Sequence, residues 1–247
     1  MKSIKISQVT DYVEKNIDHF HQRRLDRLSS MKLNEILKKK NPYLFKAKNI
    51  LTSEMLIRNL LDAYLSSREE TIFGDFIEGV AIFVAQTVFQ GKKSPAEGVD
   101  LEFSKDGIIY IVSVKSGPNW ANSGQIKDML NNFRKAKRVL RANRTSVQVV
   151  AINGCCYGRD NNPDKGEYFK YCGQQFWEFI SGNDKLYLDL IVPLGHKSKE
   201  KNDEYLEEYS KIVNKFTIEF SKRFCSNNKI DWEALVRFNS SNLKKKN

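Results

Sequence analysis

The sequence predicts an α/β protein, a central mixed β-sheet flanked by helices, with helical N- and C-terminal extensions. Three observations carry this. Apolar residues recur at helical spacing over the first third of the chain, the period turns strand-like in the centre, and helical patterning returns towards the end. Residues 1–70 read as helical and polar, with basic runs at Arg23-Arg24 and Lys38-Lys39-Lys40. Leu56, Ile57, Leu60, Leu61 and Tyr64 form a helical stripe there, with Ser53 as its cap. A stronger helix is expected over 72–90, where Phe73, Phe76, Ile77, Val80, Ala81, Val84 and Val88 share a face and Gly91 is a natural stop. Strands are expected over 98–104, 107–115, 146–153 and 186–193. Helices over 123–142 and 173–181 separate the later strands, and a last helix spans 203–222. The tail Lys244-Lys245-Lys246 reads as a frayed end. The expected organisation is a helical extension (1–70), a core (71–200) and a second helical extension (201–247), packed as one domain.

With 247 residues the chain can bury a sizeable core, and its formal net charge is +11. Acids and bases are both abundant, which fits a folded protein with a basic face rather than a disordered polycation. Nucleic acid is the expected polyanionic partner, ahead of an anionic membrane surface. No apolar stretch approaches the roughly 20 residues that span a bilayer, and the Met1-Lys-Ser-Ile-Lys-Ile start lacks a secretory apolar segment. Four cysteines in a chain of this length do not make a disulfide framework. The expected location is cytoplasmic, without membrane attachment.

The chemistry-bearing feature is a pair of neighbouring strands. Asp100 lies in Gly98-Val-Asp-Leu-Glu-Phe103, and Lys115 ends the apolar run Ile108-Ile-Tyr-Ile-Val-Ser-Val-Lys115. Side chains alternate along a strand, so Ser113 and Lys115 share a face with Ile109 and Ile111, while Val112 and Val114 face the other way. A lysine at the end of so apolar a strand calls for a nearby acid, and Asp100 is the candidate. Glu78 sits in an otherwise apolar helical stretch, Phe76-Ile-Glu-Gly-Val-Ala-Ile, where an unpaired carboxylate would be costly. The plainer reading of Glu78 is exposure on the polar side of its helix beside Asp75. Asn122 and Gln125, three apart before the next helix, read as a capping-box-like pair. Cys155, Cys156, Cys172 and His196 do not have structural zinc spacing and read as buried thiols or loop residues. His19 and His21, two apart in a helix, do not share a face.

This order of elements resembles the PD-(D/E)XK nuclease superfamily over roughly residues 72–195, and within it the type II restriction endonucleases. The segments Gly98-Val-Asp-Leu-Glu-Phe, Ser113-Val-Lys-Ser-Gly-Pro-Asn-Trp and Cys172-Gly-Gln-Gln-Phe-Trp-Glu-Phe-Ile-Ser-Gly look like one subgroup of those enzymes. The resemblance implies Mg²⁺-dependent hydrolysis of phosphodiesters in double-stranded DNA. Asp100 would anchor the metal, the Val114 backbone carbonyl would be a further ligand, and Lys115 would orient the attacking water and stabilise charge on the phosphate. Ser113 departs from the pattern, because that position usually carries Asp or Glu. Two acids can make up the loss: Glu78, where the superfamily often has a helix glutamate, or Glu102, two residues from Asp100 and facing the same way. The resemblance also gives Gln125 a role in steadying the lysine or touching the scissile phosphate, beside its plainer capping role.

Arg134, Lys135, Lys137, Arg138, Arg141 and Arg144 make a dense basic run that would neutralise phosphates, unless it is simply a solvated helix face. Asn119 and Asn122 are candidates for reading adenine edges, with Trp120 packing on DNA and Lys197 reaching a backbone. The expectation is a sequence-specific restriction enzyme acting as a homodimer on palindromic sites and paired functionally with a DNA methyltransferase. The rivals are a structure-specific or modification-dependent nuclease on the same core, and a catalytically inactive DNA-binding protein that lost its activity with the acid at 113.

Overall fold

A computed structural model describes residues 4–142 and 147–242. Arg144 and Lys244–Lys246 lie outside the described residues, as does Ser146, where the third expected strand was to begin. In chain order the elements are α1 (Ile6–Ser29), α2 (Leu33–Lys39), α3 (Pro42–Ala47), α4 (Ser53–Phe89), β1 (Lys92–Lys93), β2 (Leu101–Lys105), β3 (Ile108–Lys115), α5 (Ser123–Ala142), β4 (Val149–Cys155), β5 (Phe169–Cys172), α6 (Gln174–Ser181), α7 (Leu186–Asp189), α8 (Ile191–Leu194), α9 (Ser198–Phe224), β6 (Cys225–Ser226), β7 (Lys229–Ile230) and α10 (Trp232–Ser240). They fall into two compact units, Met1–Phe20 with Phe73–His196, and His21–Ile72 with Lys197–Asn247.

The first unit holds the five-stranded sheet, in the order β1-β2-β3-β4-β5. The β1/β2 and β2/β3 pairs are antiparallel and the β3/β4 and β4/β5 pairs parallel, so the sheet is mixed as expected. Gly107, at φ +77°, turns β2 into β3, and α5 makes the crossover that a parallel β3/β4 pair requires. The pleat sorts β3 as its sequence implies. Val112 and Val114 are buried with Val80, Ala81 and Val84 of α4, together with Phe176, Trp177 and Ile180 of α6. Ile109 and Ile111 are buried on the other face against Met129, Phe133 and Ala136 of α5. Ile126, in the first turn of α5, is 37% exposed.

The second unit is helical apart from the β6–β7 hairpin. Leu28, Ile36, Leu37, Leu56, Ile57, Leu60 and Leu61 pack with Val213, Phe216 and Phe220 of α9 in one core. Asn239 of α10 donates to the Leu37 carbonyl at 2.6 Å, tying α10 to α2.

Several expectations need correction. The 186–193 run is not a strand but two helical turns, α7 and α8. Leu186 and Leu190, four apart, are buried, while Leu188, Ile191 and Val192 are 56%, 70% and 81% exposed. That is the burial period of a helix, and an apolar run this short does not reveal its period on its own. The fifth sheet position is filled instead by β5, an aromatic-containing tetrapeptide too short to stand out. The helices expected near 53–64 and 72–90 are one continuous α4, since Ser66, Ser67 and Thr71 do not break a helix, and the Thr71 hydroxyl back-bonds to the Ser67 carbonyl at 3.1 Å. α4 ends through Gln90 at φ +54°, one residue before the expected Gly91 stop. By length and composition α4 also contains a window apolar enough to cross a membrane, contrary to expectation. Asp75 and Glu78 interrupt this apolar half of α4, and Ile77, Val80, Ala81 and Val84 from it are buried in the sheet's core.

Candidate active site

The antiparallel register sets Leu101 opposite Val112, which brings Asp100 to the carboxyl end of β3. The Asp100 backbone N–H donates to the Val112 carbonyl at 2.9 Å, and the Asp100 carboxylate reaches across to the next residues of β3. The Val114 N–H donates to Asp100 Oδ2 at 2.7 Å, the Ser113 hydroxyl donates to the same oxygen at 3.5 Å, and the Lys115 ammonium stands 3.9 Å away. None of the described residues donates to Oδ1. The Lys115–Asp100 pair is longer than a hydrogen bond and its side chains are 30% and 21% exposed. A pair of that kind stabilises a fold by about 0–1 kcal/mol, far less than the apolar burial around it, so its value lies in what the two groups do.

Ser113 is 1% exposed and backed by an equally buried Asn153, its register partner on β4. Asn153 Nδ2 donates to the Ser113 carbonyl at 3.3 Å, and its Oδ1 accepts the Trp120 indole N–H at 3.2 Å. Trp120 is thereby drawn onto the end of β3, and the Lys115 ammonium sits 5.2 Å from its ring centre, a cation–π distance. Sequence reasoning passed over Asn153. Its signal was a lone amide in the apolar run Val149-Val-Ala-Ile, since a polar group buried in a central strand needs partners.

Glu78, on α4, is half-buried. Burial raises its carboxyl above the ordinary glutamate value, and the negative charge of Asp100 raises it further, while Lys93 and Lys115 pull it down. Lys93 Nζ stands 3.9 Å from Glu78 Oε1. Helix and hairpin thus bring Glu78, Asp100 and Lys115 into one electrostatic cluster. Glu102 instead pairs with Lys92 at 3.5 Å and lines a hollow against α5 with Lys135 and Asn132. Among the described residues no group of three or more His, Cys, Asp or Glu side chains is placed to hold a metal ion. Two carboxylates and neutral oxygens are nonetheless a set that suits Mg²⁺, which keeps several waters and is held by one or two carboxylates plus substrate phosphate. Glu78 is raised first by burial and then by the charge of Asp100, and a cation between the two acids would relieve that second contribution.

The other expected residues are distributed as follows. Asn122 and Gln125 form a reciprocal cap on α5, each backbone N–H donating at 3.0 Å to the other's side-chain oxygen. Asn119 and Asn122 are exposed beside the site. Arg134 is turned onto the Glu167 carboxylate, and Lys137 donates to the Glu167 carbonyl at 2.9 Å, so these two hold a loop. Lys135, Arg138 and Arg141 are exposed along α5, and Lys197, at φ +50°, is the N-cap residue of α9 in the second unit. Cys155, Cys156 and Cys172 are buried thiols, Cys155 being pushed up to about 12 by burial first. His196 faces Glu14 at 3.5 Å.

A mixed sheet whose central antiparallel hairpin presents an acid and a lysine beside a helix glutamate defines a restriction-endonuclease-like protein. The family model for the type II restriction endonuclease EcoO109I matches residues 7–202, and the chain belongs to that family. No curated protein matches the chain significantly.

The raised Glu78 carboxyl has a consequence for stability. A carboxyl whose folded value lies above its unfolded value favours folding at low pH and loses that contribution as pH rises through the folded value. Without metal, Glu78→Gln should therefore melt higher than the parent at neutral pH, with the gain shrinking below the ordinary glutamate range. Melting curves at pH 7.5 and pH 4 check this, and equal curves at both pH values would contradict it.

Proposed function

We propose that the protein is a sequence-specific type II restriction endonuclease that hydrolyses phosphodiester bonds of double-stranded DNA with Mg²⁺. The observation that carries the reading is the convergence of Asp100, Lys115 and Glu78 at the carboxyl end of β3, with Asp100 Oδ2 held by the Val114 N–H at 2.7 Å. Asp100 and Glu78 would hold the cation together with the Val114 carbonyl oxygen, with Glu102 a less favoured donor because it is engaged by Lys92. When bound, Mg²⁺ supplies a polarised phosphate and a water of lowered pKa. The protein's own groups do the rest. The Lys115 ammonium, steadied by Asp100 and the Trp120 ring, is placed to position a water and to balance charge growing on a phosphate oxygen. Ser113 contributes no charge; its buried hydroxyl faces Asp100 at 3.5 Å, and the Val114 N–H at 2.7 Å is what holds that carboxylate. This makes the site a PD-(D/E)XK variant in which the helix glutamate replaces the strand acid. The reciprocal Asn122–Gln125 cap supports a structural role for Gln125 ahead of a phosphate contact.

The exposed cations Lys135, Arg138 and Arg141 are candidates for DNA backbone contact, whereas Arg134 is committed to Glu167. A homodimer on palindromic sites, a cytoplasmic location and a partner methyltransferase complete the reading. Digestion of a sequenced plasmid with Mg²⁺, with the ends mapped, tests it. A ladder with defined ends is expected. Cutting confined to branched or methylated DNA would instead mark a structure-specific or modification-dependent nuclease, and salt-dependent binding without cleavage would mark an inactive binder.

A further inference from the structure

Beyond the carboxyl ends of β4 and β5 lies a hollow of about 760 Å³, lined among others by Tyr157, Arg159, Asn161, Gln174 and Gln175. It adjoins the candidate active site through the backbone. The Cys156 N–H donates to the Lys115 carbonyl at 2.9 Å and the Tyr157 N–H to the Ser116 carbonyl at 3.1 Å, so the loop after β4 starts where the lysine strand ends. The two loops are also in tight contact. Gly158, at φ +93°, brings its backbone so close to Pro118 that a Cβ there would lie 2.5 Å from the ring, and a Cβ on Gly117 would lie 2.2 Å from the Tyr157 ring. Lys170 donates to the Pro118 carbonyl at 3.0 Å and faces Asp160 at 3.7 Å. Asp160 in turn accepts from Lys165 and from the Asn162 N–H, each at 3.0 Å.

The residues on either side of Asp160 differ from it. Arg159 and Asn161 have no hydrogen bond or ion pair from their side chains to the described residues, and both line the hollow. The loop is thus braced by its middle residue while its neighbours stay uncommitted. A loop held in place while its neighbouring polar side chains stay free to pair suits a recognition element, because a preorganised backbone loses little freedom on binding. The side-chain types match base edges: arginine pairs bidentately with guanine O6 and N7, and asparagine or glutamine with adenine N6 and N7.

We propose that this braced loop reads base pairs of the DNA in the major groove, with Arg159 recognising a guanine and Asn161 a neighbouring position. The proposal rests on the nuclease reading for its ligand. It goes beyond that reading by assigning sequence discrimination to this loop, rather than to Asn119 and Asn122.

The test uses the full chain and two measurements. Arg159→Ala and the parent are compared in Mg²⁺ on a library of duplexes varied at every position of the mapped site. In parallel, the Asp100→Ala protein with and without Arg159→Ala is used to select bound duplexes from random sequence in Ca²⁺, with no cleavage needed. Loss of preference at one G·C pair by about 5- to 150-fold is expected, the other positions staying selective. The salt dependence of binding should keep its slope. A uniform loss across all sequences with the slope reduced by about 1 would make Arg159 a phosphate contact and overturn the proposal. Unchanged preference at every position would overturn it as well. If the parent cuts no DNA but Asp100→Ala still selects a sequence, the nuclease reading fails while the selection continues to report on Arg159.

Discussion

Asp100→Ala is expected to lower Mg²⁺-dependent cleavage by about 10³-fold or more while leaving duplex binding and the fold largely intact. The carboxylate is the group on which the site converges. It accepts from the Val114 N–H at 2.7 Å, faces Lys115 at 3.9 Å, and raises the carboxyl of Glu78 through its charge. Alanine removes a charge that would hold the cation and frees Lys115 from its acid. It also strips the Val114 N–H of its acceptor, which costs about 1–3 kcal/mol if water cannot replace it. The carboxylate is 21% exposed, so water can reach the gap and the folding cost should fall at the low end. Single-turnover cleavage and DNA binding in Ca²⁺, measured on the same preparation, separate the two effects. Cleavage within a few-fold of the parent would remove Asp100 from the metal site.

Lys115→Ala is expected to have the second largest effect, a loss of about 10²–10³-fold in cleavage rate. The ammonium is placed by three constraints: strand register, the Asp100 carboxylate, and the Trp120 ring 5.2 Å away. Because the pair is partly exposed and long, removing the lysine should cost about 1 kcal/mol or less of stability. The melting temperature therefore discriminates between readings. Reduced cleavage with an unchanged melting point supports a role in the reaction, whereas a large fall in melting point with cleavage retained would make Lys115 a structural residue. Lys115→Arg keeps the charge but not the compact geometry and should recover binding more than rate.

Much of the core was legible in the sequence. Alternating runs need only two faces to be sorted, and β2 and β3 sort as their residues imply, with Val112 and Val114 against α4 and Ile109 and Ile111 against α5. α5 begins where its pattern does, because Asn122 and Gln125 form a local capping signal. The misreadings share a cause. Leu186–Pro193 is apolar at nearly every position, so both periods fit it, and only the packing of Leu186 and Leu190 against the core selects the helix. β5 has four residues, and nothing in Phe-Lys-Tyr-Cys marks it as a strand until Cys155 on β4 is beside Cys172.

The sequence by itself determined the chemistry available at the site, an acid and a lysine fifteen residues apart with a serine two before the lysine, because strand alternation is a local rule. Only the tertiary structure decided which acid stands beside Asp100 and Lys115. The sequence offers Glu78 first and Glu102 second, and the packing of α4 on the sheet brings Glu78 within electrostatic reach of Asp100 and Lys115, with Lys93 beside Glu78 and Lys92 beside Glu102. Likewise Asn153 and Lys170 acquire their positioning contacts only when β4 and β5 lie parallel to β3, since hydrogen bonds between residues tens of positions apart leave no periodic trace in the chain.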